Sequence, residues 1–524
     1  MISVKDVKDD KIVLHFSEER EYRDAVLYFT KKIKNYFFIP KVRKKIWNGE
    51  ILFLKGNVLP VGLYGELFSF CKDNHYELVG KELIYNYIKN DKFDEGIFNN
   101  IIKEYFETNK KFEIRDYQID SLKELLKYKK ASIEIATGGG KTLLMYLIYL
   151  YLKKINELDP DYKILYIVPT LTLVIQTYEK FNEYSNNSVK INLYYGESEK
   201  KMPEGDIMIG TYQTLSNLKR KFFSKVKGIV IDEAHKSKIK SILKIYEAVK
   251  SFNVLKYTYG VSGSFESSDT ADNFTTQVVI GPVLKSIKID DLVNKGFLSK
   301  VNVKILYLDY LSTEDKLYLS EIRKKISRSV SNMSIDKSRL LSYLYKLEKS
   351  YIYKSEKRMD FICKYVKFLL DKGLNVLVLF TDIKNKYGYR IYENIFNDLS
   401  SGKYNIFYID GSVTKPREYF IETFLKNEKP GVLVASYGTF SMGVDIPNID
   451  YIILSEGYKS EILVRQSIGR GVRKFFGKDR VNIIDIVDDF SIKKYVNYAI
   501  KHALEREKIY IREKFNIEKR KIKL

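Results

Sequence analysis

The sequence predicts an α/β protein with two parallel-sheet domains in tandem behind a small α+β domain at the N-terminus. Two series of apolar runs carry this expectation. The first is ASIEIA (131–136), KILYIVP (163–169), DIMIGT (206–211), GIVIDE (228–233) and YTYGVSG (257–263). The second is NVLVLFT (375–381), NIFYID (405–410), GVLVAS (431–436), YIILSE (451–456) and VNIIDI (481–486). Continuous apolar runs alternating with helical patterns are what strands buried on both faces by helices require. In the first 105 residues the pattern is different. Short runs KIVLHF (11–16), EILFLKG (50–56) and HYELVG (75–80) read as strands, and YGELFSFCK (64–72) reads as a helix.

The expected division is therefore 1–105 as the small α+β domain, 106–295 as the first parallel-sheet domain and 296–500 as the second. The second carries a lysine-rich helical insert at about 312–370, and 501–524 reads as a basic C-terminal helix. In open sheets of this kind, ligands bind at the carboxyl ends of the strands. The polar and charged residues that close each apolar run are the first place to look for chemistry.

Composition narrows the class. Of 524 residues, 45% are hydrophobic and 30% charged, which excludes a disordered chain. Lys plus Arg number 90 against 67 Asp plus Glu, a net charge of +23. Such an excess attracts polyanions, although a lysine-rich solvated surface would give the same number. The two cysteines, Cys71 and Cys363, and the four histidines form neither a disulfide framework nor a zinc spacing. The first residues have no signal-peptide pattern, and no apolar run reaches the ~18 residues of a membrane span. A cytoplasmic protein is expected.

The sharpest local signal is IATGGGKT (135–142), between a strand-like run and the apolar helix pattern LLMYLIYLYL. Thr137, Gly138, Gly139 and Gly140 would let backbone N–H groups close round phosphates at a helix N-terminus. Lys141 would reach the β- and γ-phosphates, and the Thr142 hydroxyl would ligate Mg²⁺. Ile135 stands where the strict pattern has glycine. The bland alternative is a glycine-rich strand-to-helix turn. The second signal, IVIDEAH (229–235), ends another strand-like run. Asp232 would hold Mg²⁺, Glu233 would polarise the attacking water, and His235 would contact the γ-phosphate region or relay to other motifs. Taken alone, the acids could equally open a helix. The third signal is IGRGVRK (468–474), where Arg470 and Arg473 could serve as planar donors to a developing γ-phosphate charge, or form a basic surface turn.

In their order along the chain these segments resemble the superfamily 2 helicases. IRDYQ (114–118), with Arg115 and Gln118, is similar to their adenine-sensing segment, and IATGGGKT to motif I. VPTLTLVIQ (168–176) resembles motif Ia, GTYQTL (210–215) motif Ic, DEAH motif II, and SGS (262–264) motif III. VLVLFT (376–381) and IDGSV (409–413) stand where motifs IV and IVa belong. ASYGTFSMGVDIP (435–447) resembles motif V, with Tyr437 where many helicases have Thr, and QSIGRGVR (466–473) resembles motif VI. The resemblance implies two RecA-like domains with ATP and Mg²⁺ as cofactors. It implies Gly443 and Asp445 near the nucleotide, and Gln466 near the phosphates. Ser262 and Ser264 would couple hydrolysis to movement. Thr170, Thr211, Gln213, Thr381, Gly411 and Thr439 would contact nucleic acid.

The N-terminal segments IPKVRKKIWNGEILFL (39–54) and LPVGLYGELFSFCKDNHYEL (59–78) are similar to the N-terminal domain of UvsW-type phage helicases. Trp47, the one tryptophan, lies there and could pack a small core or touch DNA. That family implies branched DNA (forks and Holliday junctions) and RNA–DNA hybrids as partners, in phage recombination, branch migration and replication restart. Two motor domains in one chain are compatible with a monomer. Three rival readings differ in class: the motor subunit of a restriction system, an RNA-remodelling helicase, and a binding scaffold with a dead ATPase. Intact Lys141, Asp232, Glu233 and Arg473 speak against the last. RKKISR (323–328) reads as a solvated helix face or a duplex contact.

Overall fold

The computed structural model describes residues 1–33, 36, 39–155, 161–196, 201–233, 239–263, 265, 270–328, 334–399, 402–410, 424, 429–440, 448–457, 468–469 and 478–524. The chain forms two compact units, Met1–Ile287 and Lys288–Leu524.

The first unit opens with a hairpin of β1 (Ile2–Lys8) and β2 (Lys11–Phe16). Asp9 and Asp10 at its tip have φ of 49° and 66°, as a two-residue type I′ turn demands. After α1 (Glu19–Tyr28), the short strands β3 (Thr30–Lys32) and β4 (Glu50–Leu52) pair with each other. β5 (Val58–Pro60), α2 (Tyr64–Asp73), β6 (Leu78–Val79) and α3 (Lys81–Ile88) complete the α+β layer, a mixed sheet of order β5-β2-β1-β6. Trp47 is half-buried and its indole N–H donates to the Glu50 carbonyl at 3.0 Å, a structural use of the side chain.

Helices α4 (Glu95–Thr108) and α5 (Asp116–Leu126) lead into a seven-stranded, all-parallel sheet. Its strands are β7 (Lys130–Ile135), β8 (Lys163–Val168), β9 (Ile191–Tyr194), β10 (Ile207–Thr211), β11 (Val226–Asp232), β12 (Tyr257–Ser262) and β13 (Val283–Ile287). Their spatial order is β13-β7-β12-β11-β8-β10-β9. The helices α6 (Lys141–Lys154), α7 (Leu171–Ser185), α8 (Ile239–Lys250) and α9 (Ala271–Ile280) connect them. β8, β10 and β12 are buried at every position, which is why they read as unbroken apolar runs.

The α+β layer does not keep a core to itself. Ala271 and Phe274 of α9 are buried in the same cluster as Ile2, Leu14, Phe29, Leu67 and Phe70. A second tie runs through the hairpin tip. Lys130 Nζ lies 2.7 and 2.6 Å from the two carboxylate oxygens of Asp10 and 2.8 Å from the Tyr246 hydroxyl. Burial alone would raise the Asp10 carboxyl, but Lys130 and the Tyr246 hydroxyl outweigh it and hold it below the ordinary carboxylate value.

The second unit is built on another seven-stranded parallel sheet. Its strands are β14 (Lys300–Asp309), β15 (Val376–Phe380), β16 (Asn405–Ile409), β17 (Gly431–Ser436), β18 (Tyr451–Leu454), β19 (Arg480–Asp488) and β20 (Asn516–Lys523). The order is β16-β17-β15-β18-β19-β14-β20. The expected insert at 312–370 is three helices, α10 (Thr313–Arg328), α11 (Ser334–Lys354) and α12 (Glu356–Asp371). Only the first two stand apart, round Leu319, Ile326, Leu344, Phe490 and Tyr495. α12 covers the sheet through Ile362, Val366 and Leu369, beside α13 (Tyr387–Leu399), which joins the same core. Its Arg358 is fully buried and pairs with Asp488 at 2.5 Å.

The C-terminal region differs from the expected single helix at 501–524. α14 (Tyr498–Arg512) is followed by β20, which pairs in parallel with β14 from Asn302 to Asp309. The charged sequence NIEKRKIK has no apolar face, so only backbone pairing with a distant strand makes it β. Among the described residues, no helix is long and apolar enough to cross a membrane.

Candidate functional site: a phosphate cradle facing two carboxylates

The first unit gathers its chemistry where β7, β12 and β11, neighbours at the centre of the sheet, reach their carboxyl ends. Three segments distant in sequence meet there because β12 inserts between the strands of motifs I and II.

The first segment is the turn from β7 into α6. Gly138 and Gly140 have φ of 86° and 82°, a conformation that side chains other than glycine rarely adopt. Gly140 caps α6, whose first residue is Lys141, so helix N–H groups and a cation point the same way. A methyl group on Gly140 would lie 2.1 Å from Gln118 Nε2. One on Gly263 would lie 3.0 Å from Lys141 Nζ and 3.2 Å from Thr137 Oγ1. The glycines thus keep a concave cradle open at backbone level.

The segment IRDYQ braces that cradle. Gln118, 3% exposed, donates to the Gly139 carbonyl at 2.9 Å, and its Oε1 accepts the Arg115 N–H at 2.9 Å. Tyr117 donates to the same carbonyl at 2.9 Å and accepts from Arg115 Nη1 at 3.0 Å.

The second segment ends β11. Asp232 is buried and Glu233 follows at φ 48°, a left-handed position for a non-glycine residue. Such strain, of order 1–3 kcal/mol, persists only where the surroundings impose it. Here the Glu233 N–H donates to the Val261 carbonyl at 3.0 Å, and Lys141 Nζ lies 3.4 Å from Glu233 Oε1. The third segment closes the arrangement. The Ser262 hydroxyl and the Gly263 N–H approach Glu233 Oε2 at 3.3 and 3.5 Å.

The donor set fits a nucleoside triphosphate with a hard divalent cation. The cradle presents N–H groups and an ammonium to phosphate oxygens. The Thr142 hydroxyl and Asp232 carboxylate offer the oxygen ligands that such a cation prefers. Glu233 follows directly on Asp232, and its carboxylate is held by Lys141, Ser262 and Gly263 at the mouth of the cradle.

Other expected residues have other surroundings. Thr170 caps α7, its hydroxyl oxygen accepting the Leu173 N–H at 3.3 Å. Thr211 is buried and its hydroxyl meets Thr214 Oγ1 at 3.1 Å, so it holds a helical turn together, whereas Gln213 beside it is exposed. In the second unit the Thr381 hydroxyl donates to Glu456, which also accepts the Asp382 N–H at 3.3 Å and the Tyr353 hydroxyl at 3.3 Å. The strand contacts expected of the Thr211 and Thr381 hydroxyls therefore compete with intramolecular bonds. Thr439 belongs to a short helical turn, Tyr437–Phe440, with its side chain outside the described residues. His235, Ser264, Gly411, Gly443, Asp445, Gln466, Arg470 and Arg473 also lie outside them.

Two residues not singled out in the sequence join the site, Tyr117 within IRDYQ and Glu134. Tyr117 braces the cradle as above. Glu134 on β7 accepts the Phe265 N–H at 3.3 Å and the Ser286 hydroxyl at 2.6 Å, tying the segment after motif III to β13. The one available signal for Glu134 was an acid inside an otherwise apolar strand run.

The family described as type III restriction enzyme, res subunit, matches residues 111–262, and the helicase conserved C-terminal domain matches 357–474. The ATP-dependent DNA helicase uvsW of Enterobacteria phage T4 is 28% identical over 526 residues, 95% of each chain. The DNA 3'-5' translocase XPB2 of Sulfurisphaera tokodaii is 24% identical over 70% of this chain and 79% of its own. A solved structure of the ATP-dependent type ISP restriction-modification enzyme LlaBIII bound to DNA shares the fold, with a TM-score of 0.53 at 16% identity. It covers 78% of this chain and 31% of that one. With its two RecA-like sheets and both helicase domains matched, the chain belongs to the ATP-dependent superfamily 2 helicases and is similar to uvsW along nearly its whole length.

Proposed function

We propose that this helicase is a DNA motor that remodels branched duplexes, forks and four-way junctions, and RNA–DNA hybrids. Lys141 and the cradle would bind the β- and γ-phosphates, Thr142 and Asp232 would hold Mg²⁺, and Glu233 orients and deprotonates the attacking water. Arg470 and Arg473 supply the positive charge that the transferring phosphoryl group needs. Bound Mg²⁺ would offset charge on the phosphate oxygens. Ser262 and Gly263 keep the Glu233 carboxylate turned toward Lys141.

The observation that carries this reading is similarity to a DNA helicase over 95% of both chains, so that the N-terminal layer is included as well as the motor. A motor without sequence preference grips through phosphates, and the net charge of +23 suits that. A second reading, the motor subunit of a restriction system, is favoured by the res-subunit match over 111–262.

The test is ATP hydrolysis by the full chain with no nucleic acid, linear duplex, RNA, or a four-way DNA junction, beside Lys141→Ala. Stimulation by the junction well above the other three, abolished in the variant, is expected. Equal rates with linear duplex and junction would favour the restriction motor, and stimulation by RNA alone an RNA-remodelling enzyme.

A further inference from the structure

Helix α9 begins a few positions after motif III and is gripped on both sides. On one side is the N-terminal layer. Phe274, 1% exposed, sits among Tyr28, Phe29 and Phe53, with ring centroids at 6.2, 6.2 and 5.5 Å, and Lys31 Nζ lies 4.7 Å above it. A methyl group on Gly62 would fall 2.2 Å from the Gln277 carbonyl oxygen and 2.5 Å from that of Val278. Backbone therefore meets backbone, and neither can retreat as a side chain would. Gln277 Nε2 also donates to Glu66 Oε1 at 2.7 Å.

On the other side is the catalytic sheet. Val279 and Ile280 join the core that holds Ile231 of β11. The Ile280 carbonyl accepts the Ser132 hydroxyl of β7 at 3.0 Å. A methyl group on Gly260 of β12 would lie 2.3 Å from Ile280 Cδ1. Gly260 lies two residues before Ser262, whose hydroxyl holds Glu233. An uninterrupted packed path thus joins Gly62 and Phe274 to the strained carboxylate.

We propose that the N-terminal layer is a working part of the ATPase, and that Phe274 and Gly62 are positioning residues for Glu233. The layer fixes α9, α9 fixes β12 through the close approach at Gly260, and β12 presents Ser262 and Gly263 to Glu233. A left-handed Glu233 depends on imposed contacts, so loosening this path misdirects its carboxylate without removing any group that binds ATP. The proposal rests on the reading of Glu233 as the residue that activates water.

The test is a double-mutant cycle on the full chain, measuring kcat and KM for ATP at saturating nucleic acid. Phe274→Ala is expected to lower kcat about tenfold with KM for ATP changed by less than about twofold, and Phe274→Leu to restore most of the rate. Combined with Ser262→Ala, the loss is expected to be smaller than the product of the two single losses. Gln277→Ala, which removes one side-chain bond and no core, serves the same cycle should Phe274→Ala fail to fold. Losses that multiply in both cycles, or a rise in KM matching the fall in kcat, would overturn the coupling. Glu233→Gln is the control on the site: a variant that still hydrolyses ATP refutes the role of Glu233 and the proposal with it. An inactive Glu233→Gln beside multiplicative losses refutes the coupling alone.

Discussion

Gly140 concentrates two constraints in one residue: a φ of 82° and a neighbour, Gln118 Nε2, where its methyl group would have to go. Alanine there costs about 1–2 kcal/mol for the left-handed conformation and also displaces Gln118 from the Gly139 carbonyl. Gly140→Ala is therefore expected to weaken nucleotide binding about tenfold or more. It is also expected to narrow the preference for adenine over guanine, because Gln118 is the residue placed by resemblance at the base. Titration with fluorescent adenine and guanine nucleotides measures both, and unchanged affinity would remove the cradle from nucleotide binding. The residues of this site that the sequence disclosed are those whose spacing is dictated by phosphate chemistry: Gly138, Gly140, Lys141, Asp232 and Glu233. Tyr117 and Glu134 escaped because a buried tyrosine and a strand acid carry no spacing of their own. Thr211 illustrates the opposite ambiguity. A threonine after a strand serves equally as a helix cap or a strand contact, and only its burial and its partner Thr214 tell the two apart.

Elements were legible in proportion to how much of their burial is local. β8, β10 and β12, buried throughout, announced themselves as apolar runs. β20 did not, since its partner β14 lies some two hundred residues away and none of its side chains is fully buried. α9 is hard to read from sequence for a related reason. Its two faces serve two different cores, so ADNFTTQVVI has no single apolar stripe. The hairpin tip of β1 and β2 shows what such non-local contacts contribute. Asp10, Lys130 and Tyr246 form a buried cluster in which, among the described residues, Asp10 is the acid that faces Lys130. Removing one member of a buried pair typically costs about 3–5 kcal/mol, whereas replacing both by apolar residues is often neutral. Asp10→Ala is expected to destabilise the first unit by about 3 kcal/mol, and Asp10→Leu with Lys130→Met by much less. Urea unfolding followed by the fluorescence of Trp47, the one tryptophan, reports this unit directly. The sign of the pH effect follows from the depressed Asp10 carboxyl. Its contribution is complete above about pH 4, the ordinary value for an aspartate, and falls away as acid protonates it in the folded state. The difference between parent and Asp10→Ala is thus expected to shrink below pH 4. A single variant no less stable than its parent at neutral pH would mean that the tip contributes nothing to docking.

At the scale of the whole molecule the excess of cations is the feature that geometry leaves unused. Many lysines are held by carboxylates at the surface, such as Lys123 by Glu95, Lys190 by Glu204 and Lys225 by Asp161. Exposed pairs of this kind are worth little and exchange readily with solvent ions, so they do not prevent a polyanion from competing. If every carboxylate kept one cation, 23 would remain free to meet phosphates even without such exchange. A motor that holds its track through even six of them releases about as many condensed counterions. Its affinity for duplex DNA is then expected to fall about a thousandfold between 50 and 200 mM salt, with a linear slope of about −0.9 per phosphate on logarithmic axes. The affinity of ATP for the cradle, where Lys141 and the helix N-terminus act at contact distance, is expected to change far less over the same range. Anisotropy titrations of labelled duplex and of labelled nucleotide across a salt series separate the two. A duplex affinity indifferent to salt would mean that the surplus charge is a property of the solvated surface and that the track is held through bases and sugars instead.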